Sequence, residues 1–84
     1  MTHAVDLEDL RVVLAEIIEV EPEQVGEDLP LVQALGMDSL TALEVVVVLE
    51  KRYGVSFSED DMRAVTTLRS AYELLLGKTA AVRA

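Results

Sequence analysis

The sequence predicts an all-α protein: a small four-helix bundle with three main helices, one short helix and a long loop between helices one and two. Apolar residues recur with helical spacing in three separate segments of the 84-residue chain. Hydrophobic residues make up 51% of the chain but aromatic residues only 4%, which predicts an aliphatic core. There is no cysteine to form a disulfide framework. We therefore expect one domain over residues 1–84, with its core at about 7–76.

The first main helix is predicted over residues 7–19. Its apolar face is formed by Leu7, Leu10, Val13, Leu14, Ile17 and Ile18. Asp6 precedes the first turn and is a favoured capping residue. We expect Glu21-Pro22 to end the helix, because the residue before a proline avoids the α conformation.

Residues 21–38 show no sustained period and predict a long loop, with room for one helical turn at Pro22–Val25. Loops this long are unusual in so small a domain and tend to be functional or disordered. Apolar side chains along the segment argue against disorder and predict that the loop is pinned across the core. These side chains are Val25, Leu29, Leu31, Val32 and Leu35.

The second main helix is predicted over residues 39–53, although four consecutive valines favour a strand in a short window. The longer window favours a buried helix, because five side chains then share one face: Ala42, Val45, Val46, Leu49 and Tyr53. Gly54 is expected to end it. The β-branched run is expected to be core, with a cleft that shelters an aliphatic ligand as the alternative.

The last third of the chain predicts a short helix and a third main helix. Ser58-Glu59-Asp60-Asp61 has the form of a capping box and lacks the ligand spacing of a calcium loop. Thr66 or Thr67 is expected to cap the last helix, whose apolar side chains are Leu68, Ala71, Tyr72, Leu74 and Leu75. We expect Gly77 to stop this helix and residues 78–84 to form a flexible tail.

Gly36-Met37-Asp38-Ser39-Leu40 joins the long loop to the second main helix. The glycine permits a turn, Asp38 is a favoured N-cap, and Ser39 falls in the first helical turn. Its hydroxyl would lie among unpaired amides at the positive end of the helix dipole, where an anion is stabilised. The same residues also fit a plain helix cap with no further role.

The face of this helix opposite the core carries Leu40, Leu43 and Val47, flanked by Glu44, Glu50 and Lys51. An aliphatic stripe with charged edges is a candidate docking surface. Isolated exposed aliphatic residues are also common on proteins with no partner at that place.

Composition excludes several functions. Sixteen acidic and seven basic residues give a net charge of −9, which disfavours nucleic acid and anionic membranes and favours protein partners with basic patches. His3 is the only histidine, so a metal site of the ordinary His/Cys type is excluded. Acidic residues near the start exclude a signal peptide, and no apolar run reaches membrane-spanning length. We expect a cytoplasmic protein, monomeric by default.

An enzymatic role for Ser39 lacks a general base. No histidine is near it in the sequence, and Lys51 lies more than three helical turns away. No glycine-rich phosphate loop is present. If Ser39 reacts, another protein must supply the base, which makes this chain a substrate and not an enzyme.

Over about residues 7–76 the chain resembles the acyl carrier proteins. The resemblance rests on Gly36 to Leu40, on the preceding loop from Asp28, on the helix from Thr41 to Tyr53, and on the order of helices with an acidic surface. It implies that Ser39 carries a covalent 4′-phosphopantetheine arm, installed from coenzyme A by a phosphopantetheinyl transferase. The arm's thiol would hold acyl groups as thioesters.

The resemblance also assigns the neighbouring residues. Asp38 would help present the serine to the transferase. The residues expected to contact partner enzymes are Met37, Leu40, Leu43, Glu44 and Val47. Those partners would be enzymes of the acyltransferase or ketosynthase type with basic docking patches.

Two features of the predicted second main helix differ from the pattern of fatty-acid carriers and bear on the pathway. Thr41 stands where fatty-acid carriers often have an acid, and Lys51-Arg52 make the end of the helix basic. We therefore expect polyketide or other specialised acyl metabolism before primary fatty-acid synthesis. A peptidyl carrier protein of a peptide synthetase, or an unmodified helical adaptor that binds a partner helix, are the alternatives. We expect a free-standing protein, with an excised domain as the other possibility.

Overall fold

A computed structural model describes the backbone of residues 5–83 and the side chains of residues 5–79. It contains helices α1 (Leu7–Ile18), α2 (Leu31–Leu35), α3 (Ser39–Tyr53), α4 (Glu59–Ala64) and α5 (Leu68–Arg83), and a 3-10 turn at Pro22–Gln24. Residues 5–83 include no strand. The all-α prediction is confirmed, and the three long helices begin where the sequence predicts.

The core lies where α1 packs against α5 and α3, while α4 closes one side against α3 and α5. Its largest fully buried side chains are Tyr53, Leu10, Leu14, Leu31, Leu49, Leu68, Leu75, Val25 and Val45. Eight of these nine are aliphatic. Val45 and Leu49 belong to this core, as the helical interpretation of the valine run predicts.

Helix α1 begins as predicted but ends for a different reason. The Oδ1 of Asp6 accepts hydrogen bonds from the amides of Glu8 and Asp9, at 2.9 and 3.0 Å. The helix ends at Ile18 because Glu19 adopts a left-handed conformation with φ of 66°. The proline at position 22 therefore does not terminate α1, and the prediction that it would was wrong.

The segment predicted as a loop contains a helix that is too short to produce a helical pattern of apolar residues in the sequence. The turn expected at Pro22–Val25 is present as Pro22–Gln24, but α2 at Leu31–Leu35 was not predicted. Val25 and Leu31 are buried, as expected of residues that pin the loop. Val32 is 54% exposed, because α2 turns it toward solvent, and its predicted anchoring role is wrong.

Arg69, near the start of α5, holds this segment in place. Its Nη2 lies 2.8 Å from Glu27 Oε1, and its Nε lies 2.9 Å from Asp28 Oδ1. The Arg69 amide also donates to the Glu27 carbonyl at 2.9 Å. These contacts fix the approach to α2 from outside the hydrophobic core.

Helices α4 and α5 have the predicted caps. Ser58 Oγ accepts from the Asp61 amide at 3.1 Å, and Asp61 Oδ2 accepts from the Ser58 amide at 2.9 Å, which completes the capping box. Thr67 Oγ1 accepts from the Ser70 amide at 3.0 Å, so Thr67 is the cap of α5.

Helix α5 continues through Gly77, contrary to the prediction that this glycine would end it. Residues 78–83 are helical and not a flexible tail, and residue 84 lies outside the described residues. Lys78 Nζ lies 2.7 Å from Asp61 Oδ2 and 5.5 Å from the centre of the Phe57 ring. Because these contacts hold the segment against α4, its helical conformation tolerates the glycine.

Candidate functional site

Ser39 is the first residue of α3, and its side chain is exposed. Within the described part of the chain no residue forms a hydrogen bond with its hydroxyl. The first amides of a helix also lack partners inside the helix and point out of its end. The site therefore presents an accessible hydroxyl at the positive end of a fifteen-residue helix.

The turn before Ser39 is built by Gly36 and Met37. Gly36 adopts a left-handed conformation with φ of 69° and ends α2. Such a φ strains residues with a Cβ, which explains the glycine. The Met37 amide then donates to the Leu31 carbonyl at 3.3 Å, and the Met37 side chain enters the core with only 4% exposure.

Asp38 caps α3 and sets the local charge. Its backbone is extended, and its Oδ1 accepts from the Thr41 amide at 2.8 Å. The hydrogen bonds from Thr41, the backbone amide first, hold the pKa of Asp38 below its ordinary value of 3.8. The carboxylate is therefore ionised at neutral pH, and the helix end is capped without the Ser39 hydroxyl.

The outer face of α3 presents the predicted aliphatic stripe. Leu40 is 66% exposed, Leu43 is 47% exposed and Val47 is 39% exposed, and Glu44 beside them is also exposed. Val48, which sequence analysis did not assign to this surface, is 37% exposed. Its position on the helical wheel, next to Glu44, is the pattern that would have indicated it.

Two predicted members of this surface lie elsewhere. Met37 was expected to contact partner enzymes, but its side chain lies buried in the core with 4% exposure and is not part of the exposed stripe. Glu50 was expected at the edge of the stripe, but it is half-buried, and its Oε2 accepts from the Phe57 amide at 2.7 Å. Asp38, Leu40, Leu43, Glu44 and Val47 remain at the surface within one helix and its cap.

Comparison with known proteins decides the family. The phosphopantetheine attachment site family matches residues 8–75. Polyketide-8 synthase acyl carrier protein 2 of Streptomyces avermitilis is 40% identical over 77 residues, which cover 92% of this chain and 88% of that protein. This chain belongs to the acyl carrier protein family.

Solved structures of acyl carrier proteins have the same fold. Oxytetracycline acyl carrier protein superposes with a TM-score of 0.77 at 30% identity, covering 96% of this chain and 88% of that one. Acetyl actinorhodin acyl carrier protein from Streptomyces coelicolor also gives a TM-score of 0.77, at 31% identity and with coverage of 98% and 99%.

Membership in this family settles three general points. Acyl carrier proteins are carriers and not enzymes, their prosthetic group is 4′-phosphopantetheine, and they interact with synthase enzymes and a phosphopantetheinyl transferase. None of the helices within residues 5–83 is both long and apolar enough to cross a membrane.

The start of α3 in this carrier protein fits a serine-linked phosphodiester. Its hydroxyl is open to solvent, and the amides of the first turn and the helix dipole favour a negative charge next to it. Asp38 Oδ1 accepts a hydrogen bond from the Thr41 amide at 2.8 Å, which holds the carboxylate at the helix cap beside the serine.

Proposed function

We propose that Ser39 is the attachment point of 4′-phosphopantetheine and that this chain carries acyl intermediates between biosynthetic enzymes. The observation that carries the proposal is the exposed hydroxyl of Ser39, without a hydrogen bond in the described structure, at the first position of α3. When bound, the group supplies a thiol that holds acyl groups as thioesters. The remaining tasks fall to this chain's own residues.

Ser39 acts as an acceptor when it is modified. Its Oγ forms the new bond to a phosphorus of coenzyme A, and adenosine 3′,5′-bisphosphate leaves. The proton of the hydroxyl must pass to a base on the transferase, because the side chains nearest in sequence are an exposed aspartate used as a cap and the apolar Leu40. Asp38 is thus a positioning residue that fixes the helix start on which Ser39 sits.

The exposed stripe of α3 supports a role in docking. Leu40, Leu43 and Val47 offer aliphatic contact area within about 12 Å of Ser39 along the helix axis, and Glu44 offers a negative charge. Such a surface is small, which suits brief contact with several enzymes in succession. We propose that acyltransferase-type and ketosynthase-type enzymes with basic docking patches bind here.

Polyketide biosynthesis is the pathway that the similarities favour. The relative from Streptomyces avermitilis is named as a polyketide synthase carrier, and it is 40% identical to this chain. Thr41 also stands where fatty-acid carriers often have an acid, and Lys51-Arg52 make the end of this helix basic. We therefore propose a carrier of polyketide or related specialised acyl metabolism.

Intact-mass analysis tests the proposal. The protein is incubated with coenzyme A and a broad-specificity phosphopantetheinyl transferase, and its mass is compared before and after. We expect a gain of one phosphopantetheine for the wild-type protein and none for Ser39→Ala. Ser56→Ala is the matched control, since Ser56 is also an exposed serine, and it should be modified like the wild type.

Other outcomes separate the alternatives. No mass gain with several transferases would overturn the proposal and favour the unmodified adaptor. A protein that is modified at Ser39 but accepts aminoacyl groups from an adenylation enzyme, and no acyl group from an acyltransferase, would instead be a peptidyl carrier.

A further inference from the structure

The charged side chains of α3 fall into two groups: those that form an ion pair or hydrogen bond within the fold, and those that do not. Arg52 Nη2 lies 2.7 Å from Asp9 Oδ2, which ties α3 to α1. Glu50 Oε2 accepts from the Phe57 amide at 2.7 Å, which ties α3 to the segment before α4. Both groups have structural partners and are half-buried.

Glu44 and Lys51 are the two charged residues of α3 left at its surface. Both are exposed, and neither forms an ion pair or a side-chain hydrogen bond with any residue in the described part of the chain. They lie seven residues apart, so they project from the same side of the helix, about 10 Å apart along its axis. Val47 and Val48 lie between them in the sequence and are also exposed.

This pair gives the docking face a direction relative to Ser39. Glu44 lies five residues beyond Ser39, and Lys51 lies twelve residues beyond it. Along the helix axis, they are therefore about 8 Å and about 18 Å from Ser39. The face is therefore negative near the attachment serine and positive at the far end. An all-acidic face of the same shape would attract a basic patch equally well in either direction along the helix.

We propose that Lys51 is a specificity-determining residue that fixes the direction in which α3 docks on its synthase enzymes. The proposal rests on the attachment of phosphopantetheine at Ser39 argued above. The fitting partner carries a basic residue opposite Glu44, near the entrance of its active site, and an acidic residue about 10 Å farther away, opposite Lys51. Docking in the reverse direction places like charges together and turns Ser39 away from the entrance.

The test measures association of the phosphopantetheine-loaded protein with a purified polyketide ketosynthase, which serves as the probe. Loading of every variant is first checked by intact mass, so failure of Ser39 attachment is detected separately. The association rate constant is then measured by stopped-flow fluorescence at low and high salt for wild type, Glu44→Lys, Lys51→Glu and the double variant that exchanges both charges. The exchange keeps the net charge at −9, so it changes only the arrangement.

We expect Lys51→Glu to slow association by about threefold to tenfold at low salt, with the difference shrinking at high salt. The exchanged double variant should be slower still, although its net charge is unchanged. Glu44→Lys should also slow association, whereas Glu16→Lys, an equal change of charge at an exposed position of α1, should have a smaller effect. Lys51→Gln, which removes the charge without reversing it, should fall between wild type and Lys51→Glu.

If the partner surface is uniformly basic, it attracts the glutamate of Lys51→Glu, and this variant should associate faster than the wild type. Faster association, or an unchanged rate constant in a variant with a wild-type circular dichroism spectrum, would overturn the proposal. Restoration of the rate of Lys51→Glu by an acidic-to-lysine substitution on the ketosynthase would identify the opposing residue.

Discussion

At the scale of single residues, the site divides two tasks between neighbouring side chains. Asp38 accepts the Thr41 amide and caps α3, while the Ser39 hydroxyl has no hydrogen-bond partner among residues 5–79. If the Ser39 hydroxyl itself accepted the capping hydrogen bond, modification of the hydroxyl would disrupt that bond. Because the aspartate has that role, the serine can be modified without cost to the helix end.

Replacing Ser39 with alanine should therefore leave stability nearly unchanged. The cap bond from the Thr41 amide to Asp38 remains, and alanine favours the helix. Thermal and urea unfolding of the unmodified variant and the wild type measure the difference. A loss of more than about 2 kcal/mol would show that the hydroxyl has a structural role.

Asp38→Asn should change the dependence of stability on pH. The pKa of Asp38 is lowered in the folded protein by its hydrogen bonds with Thr41. Its charge therefore stabilises the fold above the ordinary value of 3.8, and this contribution is lost as the pH falls through the lower, folded-state pKa. Asparagine can still accept the Thr41 amide but carries no charge.

Urea titrations at about pH 7 and about pH 2 test this linkage. The wild type should exceed Asp38→Asn in free energy of unfolding at the higher pH, and the difference should be smaller at the lower one. An equal difference at both pH values would contradict the role assigned to the carboxylate.

Residue roles were predictable where they depend on local chemistry. The cap at Asp38 and the exposure of Ser39 follow from residue types at the start of a periodic helix. The burial of Met37 was not predictable in that way, because it depends on α2, a helix of only five residues. The turn that ends α2 places the Met37 side chain in the core.

At the scale of elements, helix starts were easier to predict than helix ends. Asp6, Asp38, Ser58 and Thr67 each accept an amide of the following turn, and such caps can be recognised within four residues of sequence. The end of α1 at Glu19 and the continuation of α5 through Gly77 are set by backbone conformation and tertiary contacts. No local pattern distinguishes these cases.

Gly77→Ala should stabilise the protein by about 0.5–1 kcal/mol, because alanine is the better helix former and no atom lies within 4 Å of the added Cβ. The matched variant Gly54→Ala should destabilise it by about 1 kcal/mol, because Gly54 has a φ of 66°. Urea unfolding of both variants measures the signs. Destabilisation by Gly77→Ala would show instead that the glycine ends the helix.

At the scale of the whole molecule, α3 serves two sides of the protein. Its inner face supplies Val45, Leu49 and Tyr53 to the core, and its outer face carries the exposed stripe beside Ser39. The helical period alone predicts this division. The Arg69 contacts that hold the segment before α2 join residues more than forty positions apart, so sequence spacing could not reveal them.

Two leucines of α3 should separate folding from docking. Leu49 is fully buried, so Leu49→Ala should cost about 2–5 kcal/mol, a large part of the stability of a small domain. Leu43 is 47% exposed, so Leu43→Ala should leave the unfolding free energy nearly unchanged while weakening binding to a ketosynthase. Urea unfolding and a binding isotherm for each variant give the comparison. Equal binding by Leu43→Ala and wild type would contradict the docking role of the stripe.

The most direct test of the attachment site is tandem mass spectrometry of the modified protein after proteolysis. The protein is loaded with coenzyme A and a phosphopantetheinyl transferase, and the modified residue is located by fragmentation. We predict phosphopantetheine on Ser39 and on no other residue. Its presence on Ser56, Ser58 or Ser70, with Ser39 unmodified, would contradict the account.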